Sequence, residues 1–292
     1  MTEPVRNRSA NLQQAFDTCI HLARTHYENF PVASLFLPAH LRPYVAAIYA
    51  FARTADDFAD EGEWTDAERL QALDDWQKKL DACYEGKADH PIFIALHEVI
   101  HQKKIPKQLL TDLLTAFIMD VTVHRYRTFD DLLGYCRHSA NPVGRLVLYL
   151  FDDASERTFA LSDNICTALQ LANFWQDVGL DAGKGRIYIP LEDMERFGYT
   201  ESRLDQHVAG AEFTALMKYE VERTKALFEK GKPLLALARR ELRLELTLTW
   251  HGGMTILRKI ENAGYDVFAR RPRLNLFDKL SLFGRAVFSR IP

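Results

Sequence analysis

The side chains with the clearest chemical reach lie in Tyr49 to Glu61, which reads YAFARTADDFADE. On a helix, Asp56 and Asp60 stand one turn apart, and Asp57 with Glu61 forms a second such pair beside them. Like charges at that spacing repel by a few tenths of a kcal/mol per pair, so the cluster costs stability unless a cation is expected. Tyr49 and Arg53 share the face of Asp56 and Asp60, and the preceding run, Val45 to Ala52, is nearly all apolar. The acids therefore emerge near the end of a buried helix. A second set, Gln170, Asn173, Asp177 and Asp181, steps by 3, 4 and 4 through LQLANFWQDVGLDAGKGRIYIP and shares one face of an otherwise apolar helix. Buried amides and carboxylates need partners. Two Asp pairs of identical spacing, each extending a buried helix, could face each other across a cavity.

Hard oxygen donors without His or Cys nearby suit Mg²⁺ or Ca²⁺ rather than zinc, and Mg²⁺ usually takes one or two carboxylates plus substrate phosphate oxygens. The expected ligand is a phosphorylated substrate bridged by Mg²⁺. Arg53, Lys184 and Arg186 are close enough in sequence to take the remaining phosphate charge. Acidic pairs four apart also occur at Asp81/Glu85, Asp152/Glu156 and Glu241/Glu245, where they read as solvated faces. The signal lies in two such pairs with polar or aromatic partners in phase on apolar helices.

The elements that must position these residues are helical. Apolar residues recur at helical spacing in 11–27, 41–60, 65–84, 91–103, 107–125, 129–152, 161–181, 210–238, 240–262 and about 274–289, with Pro and Gly at most boundaries. The one β-like fragment, Arg186 to Pro190, is too short to build a sheet. An all-α fold of about ten helices around a common core follows. No linker, repeat or composition break divides the 292 residues, so one domain over 1–292 is expected, with its core at about 15–272.

With 47% apolar residues the chain can bury a sizeable core, which excludes disorder, collagen and small disulfide scaffolds. A net charge of −3 offers no global field for nucleic acid, and none is expected as a partner. Cys19, Cys83, Cys136 and Cys166 are scattered without a CxxC pair and no apolar signal core opens the chain, so a reduced, cytoplasmic location is expected. No apolar run is long enough to span a bilayer. The segment 265–292 carries six cations against two acids, and Leu276, Phe277, Leu280, Phe283 and Val287 fall on one helical face. A terminal helix docked on the core explains that pattern most simply. Peripheral contact of 273–292 with the inner face of an anionic membrane is the alternative.

Rival motifs fail on their continuations. His97 to His101 reads HEVIH, but the metzincin pattern would need Gly at 104 and His at 107, and both are lysine. No GxGxxG, P-loop or GxSxG elbow occurs, and no nucleotide cofactor is expected.

YAFARTADDFADE and QLANFWQDVGLDAGKGRIYIP, with DLLGYCRHSANPVG at 131–144 and NFPVASLFLPAHLRPYVAAIYAF at 29–51, resemble the squalene and phytoene synthase family over residues 15–272. The resemblance implies the class I isoprenoid synthase helical bundle, Mg²⁺-dependent ionisation of prenyl diphosphates, and a long apolar cavity. The chain departs from the usual pattern at Gln176 and Leu180, where the family commonly has Arg and Glu, and at Ser139 to Gly144. SANPVG and NFWQDV are instead similar to the bacterial hydroxysqualene-forming branch of hopanoid biosynthesis. That branch converts presqualene diphosphate and water to hydroxysqualene and diphosphate without NADPH. The neighbouring alternative is a presqualene diphosphate, squalene or phytoene synthase acting on farnesyl or geranylgeranyl diphosphate, and a non-catalytic assembly protein is a third.

Under this resemblance, Asp56, Asp60, Asp177 and Asp181 hold two or three Mg²⁺ ions that clamp the diphosphate, with Asp57 and Glu61 as accessory ligands. Arg53, Arg186 and Lys184 bind its oxygens, Asn173 adds a metal or phosphate contact, and Gln170 adds a polar contact. Tyr49, Phe51, Tyr135 and Phe30 are candidates to shield the carbocation, and the family counterparts of Tyr49 and Tyr135 line the site. Asn141 and Gln176, which stand at the departures, are candidates to place the quenching water. Other squalene or hopanoid pathway enzymes are the expected protein partners.

Overall fold

The computed structural model describes residues 5–25, 37–269, 271–275 and 278. Its helices are α1 (Val5–Thr25), α2 (Arg42–Asp60), α3 (Asp66–Tyr84), α4 (Pro91–Lys103), α5 (Lys107–Thr122), α6 (Phe129–Ser139), α7 (Asn141–Leu150), α8 (Glu156–Gly183), α9 (Leu191–Arg196), α10 (Glu201–Asp205), α11 (Ala211–Gly231), α12 (Leu234–Leu237) and α13 (Arg240–Asn262). The expected all-α class is borne out. Among the described residues, the β-like fragment at 186–190 makes only an isolated parallel bridge, Arg125 to Ile187.

The starts follow from local chemistry. Thr65 and Glu68 form a reciprocal capping box ahead of α3, and Thr128 with Asp131 does the same for α6. Ser155 caps α8 through Thr158, so that helix begins at Glu156, five residues before the apolar periodicity predicts. Two predicted helices break in the structure. The stretch 129–152 divides at Ala140, where Pro142 falls in the first turn of α7 and can be accommodated there, whereas in a helix interior it would remove a hydrogen bond. The stretch 210–238 divides after Gly231, just ahead of Pro233. The short α9 and α10 are too brief for periodicity to announce. The predicted helix at 274–289 and the candidate Phe30 fall outside the described residues, apart from 274, 275 and 278.

The chain divides into two compact units, one of residues 1–122 and 146–154, the other of 123–145 and 155–292. In the first, α2 is the central element, with α1, α3, α4 and α5 against it. Its core holds Phe51, whose fully buried ring stacks on Trp76 at 6.2 Å and meets Phe93 edge-on, while the Trp76 indole donates to the Phe51 carbonyl. In the second, α8 is central, contacted by α6, α10, α11, α12 and α13. Gly231 lets α11 approach it closely: a Cβ there would lie 2.8 Å from the Leu161 carbonyl oxygen and 3.1 Å from the Ile165 nitrogen. The Trp175 indole, fully buried on α8, donates to Thr224 of α11 at 2.8 Å. Each acidic motif thus rides on the central helix of its own unit.

Candidate active site

In the first unit, α2 presents Tyr49, Arg53, Asp56 and Asp57 as half-buried side chains, with Asp60 and Glu61 exposed at the helix end. Arg53 is the hub: its Nη1 donates to Asp56 at 3.1 Å, its Nη2 lies 2.5 Å from Asp57, and Glu61 stands 3.5 Å away. Three carboxylates share this one guanidinium, with Asp60 one turn on from Asp56. Burial pushes the Asp56 carboxyl up to about 6; Arg53 opposes the rise, and Asp60, Asp57 and Glu61 add to it. Burial, first among several causes, also raises the Tyr49 phenol. The helix end that carries the acids is tied down by Arg69 of α3, whose guanidinium donates to the carbonyls of Phe58, Glu61 and Gly62. Sequence reasoning missed Arg69, because a side chain that caps another helix leaves no periodic signal.

In the second unit, α8 brings Gln170, Asp177 and Asp181 onto its half-buried surface, whereas Asn173, on the same stripe, is exposed. Burial and then the neighbouring Asp177 charge push the Asp181 carboxyl up to about 6; Lys184, Arg186 and Arg271 act against that rise. Both oxygens of Asp177 are gripped by Arg271, whose Nη2 donates to Oδ2 at 2.8 Å and whose Nε donates to Oδ1. The sequence reading counted Arg271 only among the cations of the C-terminal segment, yet it lies half-buried against α8. After α8 the chain turns through Gly185 at φ +78°, a conformation that favours glycine, and returns with Arg186 half-buried and Lys184 exposed. Arg125 fixes that turn: it donates to the Gly185 carbonyl at 2.5 Å and pairs with Glu201 of α10 at 3.0 Å.

A small cleft beside Asp181 is lined by Arg186, Phe174, Val178, Tyr188 and the apolar Ile187, Ile189 and Leu204. Its aromatic wall continues inward, for Phe174 and Tyr188 stack at 3.8 Å and Tyr135 and Tyr126 lie 5.9 and 5.8 Å from Tyr188. The candidate Tyr135 is therefore among aromatic rings in the same unit as Asp177 and Asp181. Phe174 and Tyr188 were not singled out: Phe174 stands in NFWQDV, and Tyr188 between Ile187 and Ile189 in GKGRIYIP. Asn141 opens α7 with its carbonyl oxygen accepting from Thr167 at 2.9 Å, so its side chain is engaged on α8. Gln176 is half-buried.

One assignment is corrected. Phe51 is fully enclosed by Trp76 and Phe93, so it is a core residue of the first unit rather than a wall open to substrate. On α2 it falls two residues past Tyr49, on the opposite and buried face with Ala47, Ala55 and Ala59. The HEVIH pair behaves as a surface feature. The His97 and His101 rings stand 4.4 Å apart, while Glu98 accepts from Gln102.

Among the described residues, no three His, Cys, Asp or Glu side chains are grouped so as to enclose an ion by themselves. Mg²⁺ does not require that, since it keeps waters and recruits substrate phosphate oxygens beside one or two carboxylates. The all-oxygen acidic pairs, with Arg53 in reach of Asp56 and Arg186 lining the same cleft as Asp181, fit a hard divalent cation delivered with a diphosphate.

Residues 23–278 match the model of the squalene/phytoene synthase family. A hydroxysqualene synthase of Zymomonas mobilis is 37% identical over 70% of this chain and 68% of its own length. A 15-cis-phytoene synthase of Synechocystis is 29% identical over 92% of this chain and 83% of its own. The crystal structure of squalene synthase HpnC from Alicyclobacillus acidocaldarius superposes with a TM-score of 0.84 at 40% identity, covering 90% of this chain and 97% of that one.

Proposed function

We propose, from the premise that this chain belongs to the squalene/phytoene synthase family, that it converts presqualene diphosphate and water to hydroxysqualene and diphosphate. The observation that carries the reading is the pair of acidic motifs, each on the central helix of its unit and each paired with an arginine. The narrower choice of reaction is supported by the 37% identity to a hydroxysqualene synthase and by SANPVG and NFWQDV in this sequence.

In this reading Asp56, Asp60, Asp177 and Asp181 hold Mg²⁺, with Asp57, Glu61 and Asn173 as accessory donors. The metal would supply Lewis-acid stabilisation of the leaving diphosphate, so no proton donor is needed. Arg53, Arg186 and Lys184 bind diphosphate oxygens, and Gln170 adds a polar contact. The carbon–oxygen bond breaks with its electron pair leaving on the diphosphate. The cyclopropylcarbinyl cation left behind is shielded by ring faces, for which Tyr135, Phe174 and Tyr188 in the second unit and Tyr49 in the first are suited. After ring opening, water bonds to the allylic carbon and loses a proton. Asn141, held by Thr167, and the half-buried Gln176 remain the proposed positioners of that water. Peripheral membrane contact through 273–292 and association with pathway enzymes belong to the same proposal. No described helix is long and apolar enough to cross a membrane.

A second reading, head-to-head condensation of farnesyl or geranylgeranyl diphosphate, is favoured by the longer coverage of the phytoene synthase relatives. Product analysis separates the two. Purified protein with Mg²⁺ and no NADPH is given either presqualene diphosphate or a linear prenyl diphosphate. Hydroxysqualene from the first and nothing from the second supports the proposal, whereas products from the linear substrate move the chain to the second reading.

A further inference from the structure

The acidic motif of each unit is occupied by an arginine. Arg271 takes both oxygens of Asp177 with its Nε and Nη2, and Arg53 reaches Asp56 and Asp57 with its two Nη atoms. A carboxylate held by a guanidinium fork has its charge compensated and its lone pairs engaged, so an arriving divalent cation must displace the fork against like-charge repulsion. Guanidinium is also the group that best exchanges carboxylate for phosphate oxygens, since both present the same bidentate edge. The side chains of Arg271 and Arg53 are 35% and 24% exposed, which leaves each head accessible to an anion from solvent.

We propose that Arg271 is the resident counter-ion of Asp177, as Arg53 is of Asp56 and Asp57, so that metal binding at each motif becomes conditional on an anion that draws the guanidinium away. The proposal rests on the metal-binding reading above and adds a property of the unloaded protein. A site whose open form is a minor fraction binds with an affinity reduced by that fraction, so a fork closed in about nine molecules of ten weakens metal binding about tenfold. The arrangement also keeps Asp177 compensated between turnovers.

The test measures Mn²⁺ binding to the full chain by the electron paramagnetic resonance signal of the free ion, with and without inorganic diphosphate. Arg271→Gln is expected to bind Mn²⁺ about tenfold more tightly than wild type without diphosphate, and to gain less from adding it. Arg271→Lys, which keeps the charge and loses the fork, should shift affinity less in the same direction. Tightening in neither variant, with helical circular dichroism retained, overturns the proposal. Asp177→Asn separates the two claims. If it leaves Mn²⁺ binding with diphosphate unchanged, the metal assignment fails and the proposal with it. If it weakens binding while both Arg271 variants stay at wild-type affinity, only the counter-ion proposal falls.

Discussion

Glu220 on α11 is fully buried and shares the Arg223 guanidinium with Asp193, itself 4% exposed. Two buried carboxylates facing one guanidinium leave a net negative charge, and desolvation raises the Glu220 carboxyl to about 8; Arg223 opposes the rise and Asp193 adds to it. An unfolded Glu titrates near its ordinary value of 4.5, so between that pH and about 8 the folded protein holds one proton that unfolding releases. The stability from this group is fully present below the ordinary value and is lost as pH rises toward the folded one. One proton corresponds to about 1.4 kcal/mol per pH unit. Glu220→Gln mimics the protonated form and leaves Arg223 and Asp193 as a one-to-one pair. Relative to wild type, its unfolding free energy should therefore rise by about 2 kcal/mol from pH 5.5 to pH 7. Urea unfolding followed by circular dichroism at several pH values gives the difference directly, and contributions from other carboxyls cancel in it. Parallel pH curves for the two proteins would show that Glu220 is ionised in the fold and refute the reasoning. The consequence reaches the site, because Thr224, one turn along α11, accepts from Trp175 between Asn173 and Asp177 on α8.

Two further outcomes are expected. Gly144 lies so close to α8 that a Cβ would sit 2.5 Å from the Cys166 sulfur, so Gly144→Ala should destabilise by about 1–3 kcal/mol, read as a lowered Tm, and an unchanged Tm would contradict that packing. Asp56→Asn combined with Asp177→Asn should abolish turnover of presqualene diphosphate while leaving helical circular dichroism intact, and chelation of Mg²⁺ should do the same to wild type; turnover surviving either treatment would remove the metal assignment.

Much of the fold was legible because helices announce themselves by period. Asp56 and Asp60 on α2, and Asp177 and Asp181 on α8, fall on helices whose ranges differ from expectation by only a few residues at most ends. Where propensity met a proline the reading slipped, as at Pro142 and Pro233, since a continuing apolar pattern does not record a missing N–H donor. The site was legible as far as spacing carries it. Arg125 and Arg271 act through contacts far along the chain, 60 residues in the bond from Arg125 to Gly185 and 94 in the pair of Arg271 with Asp177. No local pattern encodes such pairings. Phe51 shows the reverse error, an aromatic named for its ring whose face of α2 is turned into the core.

The proposed reaction ends a carbocation with water rather than with a hydride or a second prenyl chain. Its most direct test is turnover of presqualene diphosphate with Mg²⁺, without NADPH, in water enriched in oxygen-18. The expected product is hydroxysqualene carrying the heavy oxygen from solvent. An alcohol without the label, or a hydrocarbon as the sole product, would contradict it.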